Sequence, residues 1–220
     1  MKARLLRAGD RALLIEVGTV EEVLALTAAL RAADLPEVTE LVPAARTVLV
    51  HTDADLRSAT GERLTAGLTA LAEAAEPSTA VDADENVVTI PVRYDGPDLD
   101  EVASATGLDP AQIIELHTGS PWRAAFVGFA PGFAYLTGGP VSLRVPRRQQ
   151  SRPSVPAGSV ALAGEYSAVY PGVSPGGWQL IGRTELNLWD LSREPPGLIS
   201  PGTRVRFVDA ASAAGDRGTP

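Results

Sequence analysis

Between Leu116 and Gly182 the chain carries 11 of its 21 glycines and 8 of its 18 prolines. Proline removes a backbone donor, and glycine loses more conformational freedom in a regular element than any other residue, so no long helix crosses such a stretch. Short β-type runs fit between the breakers: Ala124 to Val127, Val155 to Leu162, Ser167 to Tyr170 and Trp178 to Gly182, with Arg204 to Val208 further on. Short strands with frequent turns predict a closed or nearly closed β-barrel. Upstream of it, Val87 to Val92 reads as a strand running into the turn Tyr94 to Pro97. A short helix from Asp98 closes at Gly107, and Asp109-Pro110 opens another that ends near His117.

The first 80 residues follow a different grammar. Arg11 to Val17 is a short apolar strand, and Thr19 caps a helix with Glu21 and Glu22 in its first turn and Val23, Leu24, Leu26 and Leu30 as its stripe. Strands at Val38 to Leu41 and Thr47 to Thr52 follow, then a helix from Gly61 to Ala75. The order β-α-β-β-α resembles part of a split βαβ sandwich, which says nothing of chemistry on its own. The predicted class is therefore α+β: a small N-terminal α/β domain over residues 1–80, a linker from Glu76 to Glu85, and a barrel domain over residues 86–210, with a fraying tail from Ala210.

Composition removes several functions. The absence of cysteine excludes disulfides, thiolate metal sites and a cysteine nucleophile, and two histidines, His51 and His117, make a histidine metal site a poor expectation. His51, beside Asp53 and Asp55, reads as structural or surface. A net charge of −8 argues against nucleic acid as a partner. No apolar run approaches the roughly 20 residues of a membrane span, so a cytoplasmic protein is expected.

Charge is unevenly placed. Residues 116–164 hold no Asp or Glu, although 27 acids in 220 residues would put about six there, and the same stretch holds Arg123, Arg144, Arg147, Arg148 and Arg152. Four of these guanidiniums fall within nine residues on backbone stiffened by Pro146 and Pro153. Such planar forks suit a small carboxylate or phosphate. Around the Pro131-Gly132 turn, Phe129 and Phe133 either wall a cleft or form a buried hairpin, and Tyr135 follows. Ser159, in Pro156-Ala157-Gly158-Ser159, offers a hydroxyl but lacks a nucleophile elbow or an evident base. Trp178 faces a pocket or anchors the core. His117 is the one imidazole placed to act as a general base. Neither a Walker loop nor a dinucleotide fingerprint occurs.

Taken in order, Gly128-Phe129-Ala130-Pro131-Gly132-Phe133-Ala134-Tyr135-Leu136, Pro146-Arg147, Val155 to Val160, Tyr170-Pro171, Ser174 to Trp178 and Ile181 to Thr184 resemble the family of 5-oxoprolinase B subunits, long labelled allophanate hydrolase subunit 1 and including KipI-type inhibitors of a histidine kinase. Arg93 to Leu99 and Pro201 to Phe207 fit the same pattern. Glu165-Tyr166 departs from it, where Gly-Gln is expected, which bears on substrate identity.

The resemblance implies a cyclophilin-like barrel and two 5-oxoprolinase partners: a C subunit with a related barrel, and an A subunit that uses ATP and metal. Together they would open the lactam of 5-oxoproline to glutamate. It leaves three alternatives: a KipI-type kinase inhibitor, a urea- or allophanate-processing subunit, and a structural subunit that completes a partner's site. On the first reading Arg144, Arg147 or Arg152 grips the substrate carboxylate, and Gly132, Phe133, Tyr135, Ser159 and Trp178 line the site. Backbone at Pro131-Gly132 holds the lactam oxygen and His117 moves a proton. ATP enters through the complex, not through this chain.

Overall fold

The computed structural model describes residues 2–76 and 87–211. Two compact units make up the chain, Met1–Ala83 and Asp84–Pro220. The first runs β1 (Arg4–Arg7), β2 (Ala12–Glu16), α1 (Val20–Ala32), β3 (Val38–Pro43), β4 (Thr47–Thr52) and α2 (Ala59–Ala74). Its sheet has the order β1-β2-β4-β3 and every pairing is antiparallel. Because β4 lies between β2 and β3 and opposes both, β2 and β3 run parallel with α1 as their crossover, which is the split βαβ arrangement. The sequence reading lacked β1, whose two leucines between two arginines give little periodicity.

Local chemistry sets the helix starts. Thr19 Oγ1 accepts from the Glu22 N–H at 3.3 Å, and the Glu22 carboxylate accepts from the N–H groups of Thr19 and Gly18. That reciprocal box satisfies donors the first turn leaves open. Helix α2 starts two residues before the expected Gly61, because Ser58 Oγ accepts from the Gly61 N–H at 3.1 Å. Leu26 and Leu30 of α1 and Leu64 and Leu68 of α2 pack on Ile15, Val48 and Val50 of the sheet.

The second unit contains β5 (Val87–Val92), α3 (Leu99–Thr106), α4 (Pro110–Gly119), β6 (Trp122–Val127), β7 (Ala134–Thr137), a 3₁₀ turn (Val141–Leu143), β8 (Arg152–Val155), β9 (Ser159–Ala163), β10 (Tyr166–Val169), β11 (Ser174–Gly176), β12 (Gln179–Arg183) and β13 (Arg204–Asp209). Seven strands form one sheet of order β12-β9-β10-β7-β6-β13-β5, antiparallel except for β13 beside β5. Its edges meet: Arg93, just past β5, exchanges backbone hydrogen bonds of 2.8 and 2.9 Å with Arg183, and the Gly96 and Asp98 N–H groups donate to Ile181 and Leu180. A Cβ on Gly96 would overlap the main chain of β12, so this closure needs glycine there. The sheet is a nearly closed barrel. Strands β8 and β11 form a separate pair.

The expected strand from Val155 to Leu162 is two strands. Pro156-Ala157-Gly158 breaks it, with Gly158 at φ +78°. Alternation along the sheet then separates two apolar faces. Val160, Leu162 and Val169 join the main core with Leu136, Val102 and Ile113, while Ala161, Ala163, Ala168, Tyr170 and Leu180 form a second cluster with Phe133 and Trp178. No helix among the described residues is long and apolar enough to cross a membrane. The expected linker from Pro77 to Glu85 and the tail from Ser212 lie outside the described residues.

Candidate functional site

The second cluster opens into a cleft of about 620 Å³ walled by Phe129, Phe133, Tyr135, Tyr166, Tyr170 and Trp178. Phe133 is the hub. Its ring centroid lies 5.1 Å from Tyr135, 5.3 Å from Tyr170 and 5.5 Å from Trp178, all in edge-to-face packing. Phe126 stacks behind Tyr135 at 4.3 Å. The two readings of the Pro131-Gly132 turn therefore both apply, to different rings. Phe133 is buried in the wall, whereas Phe129 stands 59% exposed at the rim.

Phe129 sits at φ +72°, an outlier for a bulky aromatic. Hydrogen bonds from Gly128 N–H to the Phe133 carbonyl and from Phe133 N–H to the Ala130 carbonyl hold that turn. Backbone held in a sparsely populated region beside a cleft is a marker of function.

The four clustered arginines divide. Arg148 Nη1 and Arg152 Nη2 donate to Asp98 Oδ1 at 2.8 and 2.6 Å, and Asp98 Oδ2 accepts from the Leu180 N–H at 2.7 Å. Arg144 pairs with Glu165 at 3.4 Å on the surface. Arg147 alone of the four lines the aromatic cleft, and it has no carboxylate partner among the described residues. Arg152, expected to contact ligand, anchors a buried acid and lies outside the aromatic cleft, on the border of a second one; Arg144 lies outside both.

Three further expectations change. Gly132, at φ +79°, packs against the Leu188 carbonyl and Trp189 instead of lining the cleft. Ser159 is buried, donates to the Pro156 carbonyl at 2.8 Å and borders a second cleft, of about 500 Å³, with Arg152 and Arg183. His117 is wholly buried in the main core. Its Nδ1 meets the Tyr94 hydroxyl at 2.7 Å, its Nε2 meets Ser167 Oγ at 2.8 Å, and its ring packs 4.2 Å from that of Phe207. It lines neither cleft. With both nitrogens occupied and no path to solvent, it is a structural histidine and not the proton carrier expected.

Burial pushes the His117 pKa down to about 3. The unfolded imidazole takes a proton near pH 6.5 that the folded one refuses, so stability is lost as pH falls below about 6.5. Between pH 7 and pH 5 this should remove about 2 kcal/mol, and His117→Gln should flatten that component while leaving ligand binding in the cleft unchanged. All three tryptophans, Trp122, Trp178 and Trp189, lie in the second unit, so urea unfolding followed by their fluorescence reads it directly.

Tyr166 and Tyr170 are wall residues that the sequence reading did not select. Their signal was alternation on β10: Ser167 faces the core histidine, so Tyr166 and Ala168 face the other way. Burial holds the Tyr135 and Tyr170 hydroxyls above their ordinary pKa, and Arg147 partly offsets it, so both are protonated donors at neutral pH. Among the described residues lining this cleft there is neither carboxylate nor imidazole. It can bind and orient an anion on a small apolar body, but it holds no general base.

Comparison with known proteins gives the same direction. The family model for the carboxyltransferase domain, subdomain C and D, matches residues 3–199. The 5-oxoprolinase B subunit of Escherichia coli O157:H7 is 42% identical over 183 residues, 81% of each chain. The crystal structure of TTHA0988 superposes with a TM-score of 0.73 at 37% identity, over 91% of this chain and 40% of that one. Kluyveromyces lactis urea carboxylase, 18% identical with a TM-score of 0.70 over 96% of this chain and 22% of its own, shares the fold. A domain model that takes in both units, and a relative matched over most of its own length, lead to one conclusion: the chain belongs to the family of 5-oxoprolinase B subunits.

Proposed function

We propose that this chain is the B subunit of an ATP-dependent 5-oxoprolinase, a hydrolase complex in the cytoplasm, and that its aromatic cleft holds 5-oxoproline for ring opening. Opening breaks the lactam C–N bond, places a water oxygen on the new side-chain carboxylate and leaves the nitrogen as the α-ammonium of L-glutamate. The observation that carries the reading is Arg147, a guanidinium without an acidic partner among the described residues, on the wall of an aromatic cleft. A carboxylate on a five-membered ring matches both features.

On this reading ATP and the hydrolytic step are supplied by the A and C subunits, which is supported by a cleft lined, among the described residues, by no carboxylate or imidazole. The chain alone is inactive on this reading. Co-expression with candidate A and C subunits should give ATP-dependent glutamate from 5-oxoproline, with no product when any one of the three is omitted. Absence of glutamate from every combination would overturn the proposal. Urea and allophanate serve as parallel substrates, because a urea carboxylase shares the fold.

A further inference from the structure

The polar tips inside the aromatic cleft are unevenly distributed. Arg147, Tyr135 and Tyr170 all line it. Two of these tips lie beside two consecutive glycines. A Cβ on Gly176 would overlap the Tyr170 hydroxyl, and a Cβ on Gly177 would stand 2.8 Å from Ser151 Oγ and 3.7 Å from Arg147 Nη2. The Tyr170 hydroxyl packs against Gly176, the last residue of β11, and the Arg147 guanidinium lies near Gly177 just after it. Tyr170 lines the cleft as a phenol, whose O–H is a hydrogen-bond donor.

Resting on the 5-oxoprolinase reading above, we propose that Arg147, Tyr170 and Tyr135 form one receptor, cationic and free of carboxylates, that selects a carboxylate on a small ring whose nitrogen is uncharged. Three donors line one cleft, and among the described lining residues no carboxylate stands by to accept from a cation. A ring ammonium would gain a modest cation–π attraction from the aromatic faces. It would lose more on desolvation without an anionic partner, and it would sit beside a like charge. A lactam nitrogen meets neither cost. Ring opening converts that neutral nitrogen into an ammonium, so the same rule that admits the substrate expels the product.

The test is isothermal titration calorimetry on the full chain with four ligands: 5-oxoproline, cyclopentanecarboxylate, L-proline and 2-pyrrolidinone. The two ring acids with no charged nitrogen should bind at least ten-fold tighter than L-proline, which carries the ammonium, and than 2-pyrrolidinone, which lacks the carboxylate. Tyr170→Phe and Tyr135→Phe should each weaken the ring acids at least about ten-fold, the low end for one hydrogen bond to a charged group. Gly176→Ala should do the same, because its Cβ would overlap the Tyr170 hydroxyl and ring edge and force them to shift, and a thermal melt within a few degrees of the parent shows that it folds.

Unchanged affinity in Tyr170→Phe, L-proline within two-fold of 5-oxoproline, or no binding of either ring acid would each overturn the receptor. Tyrosine-dependent binding of cyclopentanecarboxylate in a complex that makes no glutamate would keep the receptor and remove the substrate reading. Glutamate formation with an unaltered KM in Tyr170→Phe would do the reverse.

Discussion

Asp98→Ala should destabilise the second unit by about 3–5 kcal/mol, the usual cost of deleting one partner from a buried ion pair. Only 3% of the Asp98 side chain is exposed, yet it holds three donors: Arg148, Arg152 and the Leu180 N–H. Removing it leaves two guanidiniums, themselves mostly buried, facing each other without a counter-charge. The Arg148 bridge to Glu101 at 3.3 Å cannot substitute, because Glu101 is exposed and such pairs contribute about 0–1 kcal/mol. Asp98→Asn should cost somewhat less, since the amide oxygen still accepts one bond. Combined Asp98→Leu, Arg148→Met and Arg152→Met should recover most of the loss, because burying no charge avoids the desolvation that the network must offset. Urea unfolding monitored by tryptophan fluorescence measures all three. A loss under 1 kcal/mol in Asp98→Ala would mean that water reaches the pair.

The same network explains which parts of this protein could be read from its sequence. Features decided within four residues were legible: the Thr19 start of α1, the Asp109 cap, to which the structure adds Gln112, and the Gly107 stop, which the structure places at φ +73°. The resemblance and the barrel were legible too, since both rest on order and turn density. The division of labour among the arginines was not. Arg148 and Arg152 find Asp98 across 50 and 54 residues of chain, and Arg144 finds Glu165 just beyond the acid-free window. A window without carboxylates marks a basic segment, but the acids that neutralise it come from outside, brought by α3 and by the turn before β10.

His117 could have been read better. It lies four residues after Ile113 on α4, and both are wholly buried, so helical spacing already places it on the core face. Gly132 carried the opposite problem. A Pro-Gly turn announces a special backbone, yet only the packing of Trp189 behind it shows that the turn faces away from the cleft.

Arg147→Ala should lower kcat/KM for 5-oxoproline in the reconstituted complex about 100-fold, with most of the loss in KM. A charge-assisted hydrogen bond contributes about 1.5–3 kcal/mol, and 2.7 kcal/mol is about 100-fold. Binding shared equally by substrate and transition state appears in KM, and a carboxylate remote from the breaking C–N bond changes little during the reaction. Arg147→Lys should recover only part of the loss, because a point charge cannot reproduce the planar fork. Arg147 is exposed and free of carboxylate partners among the described residues, so its removal should leave the unfolding midpoint unchanged. That separates it from Asp98, whose loss acts through stability. Arg144→Ala is the matched control: the same charge is removed three residues away from a surface pair outside the cleft, and kcat/KM should stay within two-fold. Equal losses in the two variants would mean that the segment acts through its overall positive field, and a loss under three-fold in Arg147→Ala would take the substrate carboxylate elsewhere.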